Sequence, residues 1–143
     1  MNGIRYEHAR RIVDESLRRA RSLSLQPLTV AVLDAGGHLV ALGREDGSGL
    51  LRPQIAIGKA WGALGMGRGS RELAKRAESH PAFVQALTVA SEGRIFPVAG
   101  GVLIRDASDQ LLGAVGISGD GPDKDELCAI AGIEAVALRA DPG

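Results

Sequence analysis

The sequence predicts an α/β protein of the α+β type, with a five-stranded, mostly antiparallel sheet flanked by helices in a single domain over residues 1–143. A long amphipathic helix comes first, tight turns separate most of the apolar β-branched runs, and a second helix closes the chain. Strands joined by tight turns pair in antiparallel fashion, because parallel strands need longer crossovers. The length of 143 residues suits one domain with one sizeable core.

The first half of the chain predicts a helix, a hairpin and further helices. Apolar residues recur at three- and four-residue spacing over about residues 6–24, which is typical of a helix with one buried stripe. Two apolar runs, at residues 28–34 and 39–42, flank Gly36-Gly37 and predict a β-hairpin. Three helical segments are expected next: one opened by Pro53, one over residues 70–78 and one over residues 81–90.

The second half predicts three strands and a closing helix. The strands fall at residues 95–98, 102–105 and 111–118, separated by Gly100-Gly101 and by a polar turn over residues 106–110. The closing helix is expected from Asp123 to about Ala140, with Asp123 as its N-cap and Glu126 completing a capping box.

Charge, aromatic content and cysteine count narrow the classes of function. Seventeen basic and 17 acidic residues leave no net charge to attract nucleic acid, and one Trp, one Tyr and two Phe are too few for stacking platforms. We therefore expect no nucleic-acid partner. Cys128 is the only cysteine, so an internal disulfide and a thiolate metal cluster are excluded. The charged N-terminal stretch and the lack of a long uncharged apolar run predict a cytoplasmic protein without a membrane span.

A glycine-rich turn between the last predicted strand and the closing helix is a candidate binding loop. Glycines on both sides of Ser118 leave backbone N–H groups and a hydroxyl unobstructed, and the helix start adds a positive dipole end, which favours a small anion. The same glycines also suit a purely structural sharp turn. The candidate ligand-binding residues are Arg44, Asp46, Ser118 and Gly119.

Lys59 stands out because it lies in an otherwise apolar helical stretch. A partly desolvated lysine can contact an anion or act as a base with a depressed pKa, although snorkelling to solvent is the alternative. Asp34 ends the first strand and Asp125 lies near the start of the closing helix. If the protein is an enzyme, we expect Lys59, Asp34 and Asp125 to be its catalytic residues and to line one pocket with the Ser118-Gly119 turn.

The three histidines, His8, His38 and His80, show no zinc-ligand spacing. Haem iron needs only one axial imidazole, so His8 near a helix start and His38 at a hairpin tip are the candidate axial ligands. A surface histidine without such a role is the alternative reading for each.

Four motifs in order resemble the GlcG/HbpS-like family. They are VAVLDAGGHLV at residues 30–40, REDG at 44–47, IAIGKA at 55–60 and GAVGISG at 113–119, so the resemblance spans nearly the whole chain. It implies a small α/β domain with a five-stranded antiparallel sheet that assembles into homo-oligomers. Members include extracellular haem-binding redox sensors, a haem-binding domain appended to a corrinoid adenosyltransferase, and proteins encoded beside glycolate catabolism.

The resemblance implies a small-molecule-binding protein, with haem or a related tetrapyrrole as the expected ligand. The alternative is a cofactor-independent enzyme, a lyase, isomerase or hydrolase, acting on a small anionic metabolite in a pocket lined by Lys59, Asp34 and the Ser118-Gly119 turn. A homo-oligomer is also expected because a small domain with few aromatics gains buried area at symmetric interfaces. No motif in the sequence is catalytic in its own right, so both functions stay open.

Overall fold

A five-stranded antiparallel sheet forms the centre of the computed structural model, which describes residues 3–143. This fold confirms the predicted class. The elements in chain order are α1 (Tyr6–Ser22), β1 (Thr29–Asp34), β2 (Leu39–Arg44), α2 (Arg52–Met66), α3 (Ser70–Ser79), α4 (Pro81–Ala90), β3 (Gly101–Arg105), β4 (Leu111–Ser118), α5 (Pro122–Ala135) and β5 (Arg139–Asp141). The strand order across the sheet is β2-β1-β4-β3-β5, and every neighbouring pair is antiparallel.

The sheet is covered on both faces because its central strands alternate apolar side chains between two cores. Val30 and Val32 of β1 belong to the core that packs beneath α1 and α5. Leu33, one residue further along, belongs to the core on the other face, beneath α2. A strand buried on both faces has a continuous apolar run in its sequence, as residues 30–33 do.

Glycines on two strands let α2 approach the sheet backbone to backbone. A β-carbon at Gly116 of β4 would lie 1.9 Å from the carbonyl oxygen of Ala56, and one at Gly101 of β3 would lie 2.2 Å from that of Lys59. No side chain fits in either space. This close backbone packing holds the part of α2 that contains Lys59 against the end of β4.

Three predictions for the second half of the chain are wrong: one strand, the end of the closing helix and the cap at its start. Residues 95–98 form no strand; the segment crosses α2, where the Phe96 N–H donates to the Gly58 carbonyl at 3.2 Å. The fifth strand is instead β5, which pairs with β3 where the closing helix was expected to continue, because α5 ends before Ala137 adopts a φ of 61°. The expected cap at Asp123 is also absent, since Gly121 is the N-cap of α5 and no side chain caps it.

A helix can cross a bilayer only if it is long and apolar enough. The apolar helix α4 has only 10 residues, whereas about 20 are needed to cross the hydrocarbon core. Within residues 3–143, no helix is both long and apolar enough to do so.

Candidate functional site

The predicted functional residues divide between two opposite ends of the sheet. Thr29 at the start of β1 pairs with Ser118, whereas Asp34 at its end pairs with Gly113. The five residue steps between them correspond to about 17 Å along the strand. We call the two regions the Ser118 end and the hairpin end. The structure therefore does not bring Asp34 to the Ser118 turn.

Lys59 and Asp125 form a buried ion pair at the Ser118 end. The Lys59 Nζ donates to Asp125 Oδ2 at 3.1 Å and to the Ile117 carbonyl at 2.9 Å, and the two side chains are 3% and 1% exposed. Burial lowers the pKa of the Lys59 ammonium and raises the pKa of the Asp125 carboxyl, while each partner opposes that shift in the other. The pair links α2, β4 and α5 across the end of the sheet.

Arg52 also lies at the Ser118 end, although no pattern in the sequence predicts that it belongs to this site. Its Nη1 donates to the buried Ser118 Oγ at 3.0 Å, a contact between residues 66 positions apart. Its positive charge also lowers the pKa of Lys59. Arg44, an expected ligand-binding residue, donates instead to the Ser48 carbonyl at 2.9 Å, and Asp46 is exposed on the same loop.

The glycine-rich turn after β4 uses two backbone donors internally. The Asp120 N–H donates to Asp125 Oδ1 at 3.0 Å, and the Gly121 N–H donates to Asp120 Oδ1 at 2.7 Å. Asp120 Oδ2 also accepts the Gln26 N–H at 2.8 Å, and that bond is the main cause of the lowered pKa of Asp120. Carboxylates of the chain itself therefore occupy donors that the sequence offered to an anionic ligand.

At the hairpin end, Asp34 and His38 form an exposed pair in the turn between β1 and β2. Asp34 Oδ1 accepts the backbone N–H of Gly36 at 3.0 Å and that of His38 at 2.9 Å, and it lies 3.1 Å from His38 Nδ1. The His38 backbone bond is the main cause of the lowered pKa of Asp34. The His38 side chain is 80% exposed, and within residues 3–143 its Nε2 has no hydrogen-bond partner.

A groove of about 800 Å³ runs between this turn and the first described residues. The His38 ring is not part of the groove lining; it lies next to Gly36, a lining residue, where its Cε1 and Nδ1 are each 3.0 Å from the position of an ideal β-carbon. On the other side of the turn, the Trp61 Nε1 lies 2.9 Å from an ideal β-carbon on Gly37, and the Arg94 guanidinium lies 4.1 Å from the centre of the Trp61 ring. The groove is lined by Gly3, Ile4, Arg5, Tyr6, Asp34, Ala35, Gly36 and Val40.

The other two histidines occupy different settings. His8 is half-buried on α1, two residues beyond Tyr6 and therefore on another side of the helix from the groove. His80 is exposed between α3 and α4, with its Nδ1 2.9 Å from Ser79 Oγ. Among the described residues, no group of three or more His, Cys, Asp or Glu side chains is arranged to hold a metal ion.

The fold and these two ends define a small α+β domain with an exposed imidazole beside a groove and a buried ion pair at the opposite end of its sheet. The sequence matches the family described as "Haem degrading protein HbpS-like" over residues 4–134, and the chain belongs to that family. This confirms the resemblance drawn from the four motifs.

Individual relatives are similar at moderate identity. The corrinoid adenosyltransferase PduO of Citrobacter freundii is 27% identical over 135 residues, which cover 94% of this chain but only 39% of that protein. A double mutant of HbpS from Streptomyces reticuli is 26% identical with a TM-score of 0.80, covering 95% of this chain and 88% of its own. The crystal structure of the PduOC:heme complex is 24% identical with a TM-score of 0.84, covering 95% of this chain and 96% of its own, which shows a shared fold.

Proposed function

We propose that this protein binds haem or a related tetrapyrrole in the groove at the hairpin end, with His38 as an axial ligand. The observation that carries the proposal is an exposed imidazole whose Nε2 has no partner within residues 3–143, and whose ring lies next to Asp34 and Gly36, two residues that line a groove of about 800 Å³. That volume lies within the range of small-molecule and cofactor sites. The family description, which concerns haem, supports the choice of ligand.

The side chains around the groove suit a tetrapyrrole. Ile4, Tyr6 and Val40 offer apolar surface to a macrocycle, and the exposed Arg5 offers a guanidinium to a propionate carboxylate. His38 would supply the imidazole ligand; His8, which lies on another side of α1 from the groove, would ligate iron only at a separate site. Bound haem would contribute iron-centred redox chemistry, which is the property of the cofactor. The chain would hold and orient it and limit the access of water.

Titration with hemin tests this function. We expect saturation at a fixed stoichiometry with a sharpened, shifted Soret band, and a change in that band when His38→Ala removes the imidazole. His8→Ala tests whether His8 binds haem outside the groove, and His80→Ala is the control, because His80 lies between α3 and α4 and is not among the groove residues. A band that stays broad and like free hemin in the unmodified protein would reject the proposal.

The enzyme alternative rests on a different observation, the contact of Lys59 with Asp125 beside Ser118 and Arg52. In this proposal the pair transfers a proton to or from a small anionic metabolite held by Arg52, Ser118 and Gly119, with Arg44 and Asp46 at the rim. Asp34, at the other end of β1, takes no direct part. Turnover of small carboxylates that Arg52→Ala abolishes, with folding intact, would support it, and absence of turnover across a panel of such acids would count against it.

Assembly and location are further parts of the proposal. Several apolar side chains are exposed on the single chain, including Leu50 at 89% and Val89 at 79%, and a homo-oligomer would cover such surface. Sedimentation across micromolar concentrations tests this, and a monomer throughout would contradict it. We also propose a cytoplasmic location, which cell fractionation tests.

A further inference from the structure

The two hairpins of the sheet are built on the same turn. In the first, the Asp34 N–H donates to the His38 carbonyl at 2.9 Å and the Gly37 N–H donates to the Asp34 carbonyl at 3.0 Å. In the second, between β3 and β4, Asp106 makes the equivalent bonds to Gln110 and Asp109, both at 3.0 Å. Each aspartate also accepts the backbone N–H groups two and four residues on, and the fourth residue of each turn has a positive φ.

Comparison with the second hairpin shows which residues the turn itself requires and which contact occurs only in the first hairpin. Asp106 shapes its turn with Gln110 in the position that His38 occupies in the first. An aspartate that only closes this turn therefore needs no histidine four residues later. The additional feature of the first hairpin is the contact of 3.1 Å between Asp34 Oδ1 and His38 Nδ1.

We infer that Asp34 is a positioning residue for His38, which fixes the tautomer and orientation of the imidazole so that Nε2 faces a ligand. An ionised carboxylate only accepts hydrogen bonds, so its contact with Nδ1 places the proton of a neutral ring there and leaves the lone pair on Nε2. Metal-binding histidines commonly donate their second nitrogen to a carboxylate, which also makes the ligating nitrogen more basic. The predicted tautomer of His38 can be tested without any ligand. The predicted effect of Asp34 on haem binding rests on the proposed function.

The tautomer is tested in the protein without any ligand. In slightly alkaline buffer, where imidazoles are neutral, long-range proton–nitrogen NMR on histidine-labelled protein should show His38 with its proton on Nδ1. Asp34→Ala should shift that signal toward the Nε2-protonated form. Asp106→Ala, which removes the equivalent turn aspartate, should leave it unchanged. A His38 protonated on Nε2 in the unmodified protein would overturn the inference whatever the protein does with haem.

The effect of Asp34 on haem binding is tested with Asp34→Asn, which keeps an oxygen acceptor for the turn but removes the charge. We expect hemin affinity to fall by about 10- to 100-fold, the range found when an outer-shell partner of a metal ligand is lost. The iron–histidine stretching frequency of the ferrous complex should fall as well, because a neutral amide withdraws less of the Nδ1 proton. Asp106→Asn is the matched control and should change neither quantity.

The two hypotheses fail in different ways. If the unmodified protein does not bind hemin, or if His38→Ala leaves its spectrum unchanged, the proposed function fails and the tautomer measurement decides the inference alone. If His38→Ala abolishes ligation while Asp34→Asn leaves the affinity and the stretching frequency unchanged, the proposed function stands and the positioning role of Asp34 is rejected.

Discussion

The two ends of the sheet treat their charged groups in opposite ways. At the Ser118 end, Lys59 and Asp125 are almost completely buried and bonded to each other. At the hairpin end, His38 is 80% exposed and, among residues 3–143, only one of its ring nitrogens has a partner. Both ends contain a cationic or basic side chain beside a carboxylate, so the residue types alone do not distinguish them.

The difference indicates that the Ser118 end stabilises the fold, and it agrees with the proposal that the hairpin end binds the ligand. A buried ion pair is costly to separate because each charge would remain in a low-dielectric setting without its partner. An exposed pair adds little stability, since water screens it. If the protein binds haem as proposed, substitutions of the buried pair at the Ser118 end should act mainly on stability, and substitutions at the hairpin end mainly on ligand binding.

The largest effect is expected from Lys59→Met, which leaves Asp125 buried without its counter-charge. We expect the free energy of unfolding in urea to fall by about 3–5 kcal/mol. The control is Lys124→Met, because Lys124 is 56% exposed and lies 3.8 Å from Asp120. That change should cost at most about 1 kcal/mol. Equal losses in the two variants would mean that the Ser118 end is not the stabilising one.

The next effect is expected from His38→Gln, which gives the first hairpin the residue found in the second. Hemin affinity should fall by more than the roughly 10- to 100-fold that loss of an outer-shell partner costs. The unfolding free energy should change by no more than about 0.5 kcal/mol, as for most exposed positions. Spectroscopic titration and urea unfolding measure the two quantities. A strongly destabilised variant that still binds hemin would reverse the contrast between the two ends.

A smaller effect is expected from acid at the hairpin end. Because the His38 backbone N–H lowers the pKa of Asp34, folding gains stability from the ionised carboxylate above the ordinary value of 3.8 and loses it as the pH falls through the lowered pKa. Amide exchange at Gly36 and His38 should therefore gain an additional acid-dependent component below about pH 3.8. Asp34→Asn should remove it, and its persistence in that variant would assign it to another group.

The smallest effect on binding is expected from Gln110→His. The second hairpin has the same turn, so Asp106 should hold the new imidazole with its proton on Nδ1. The groove lies beside the first hairpin, however, so hemin affinity should not change. NMR and hemin titration together measure this. A gain of hemin binding would mean that the hydrogen-bonded imidazole is sufficient and that the groove is not needed.

Local sequence patterns predicted the fold where neighbouring residues determine it. The buried stripe of α1 and the β1–β2 hairpin follow from periodicity and turn residues. Residues 95–98 have the composition of a strand, but they cross α2 instead, and β5 pairs with β3. That outcome depends on which segment reaches the edge of the sheet. The periodicity of a local sequence carries no information about this.

The candidate site was predictable only in part, for a reason of topology. Asp34 ends a predicted strand, and a small compact domain was expected to bring it into one pocket with Lys59, Asp125 and the Ser118-Gly119 turn. Antiparallel pairing places the end of β1 beside the beginning of β4, so Asp34 and Ser118 lie at opposite ends of the sheet. The contact of Lys59 with Asp125 joins residues 66 apart in sequence, and no local pattern reveals it.

The position of the single tryptophan makes the protein its own optical probe. Trp61 is the only tryptophan in the sequence, and its indole nitrogen lies against Gly37 of the first hairpin turn. Emission from this residue therefore reports on one place in the molecule, the hairpin turn that precedes His38. Haem accepts excitation energy from indole over short distances, so a ligand entering the groove would quench that emission. Its arrival and departure can be timed by stopped-flow fluorescence without attaching a dye.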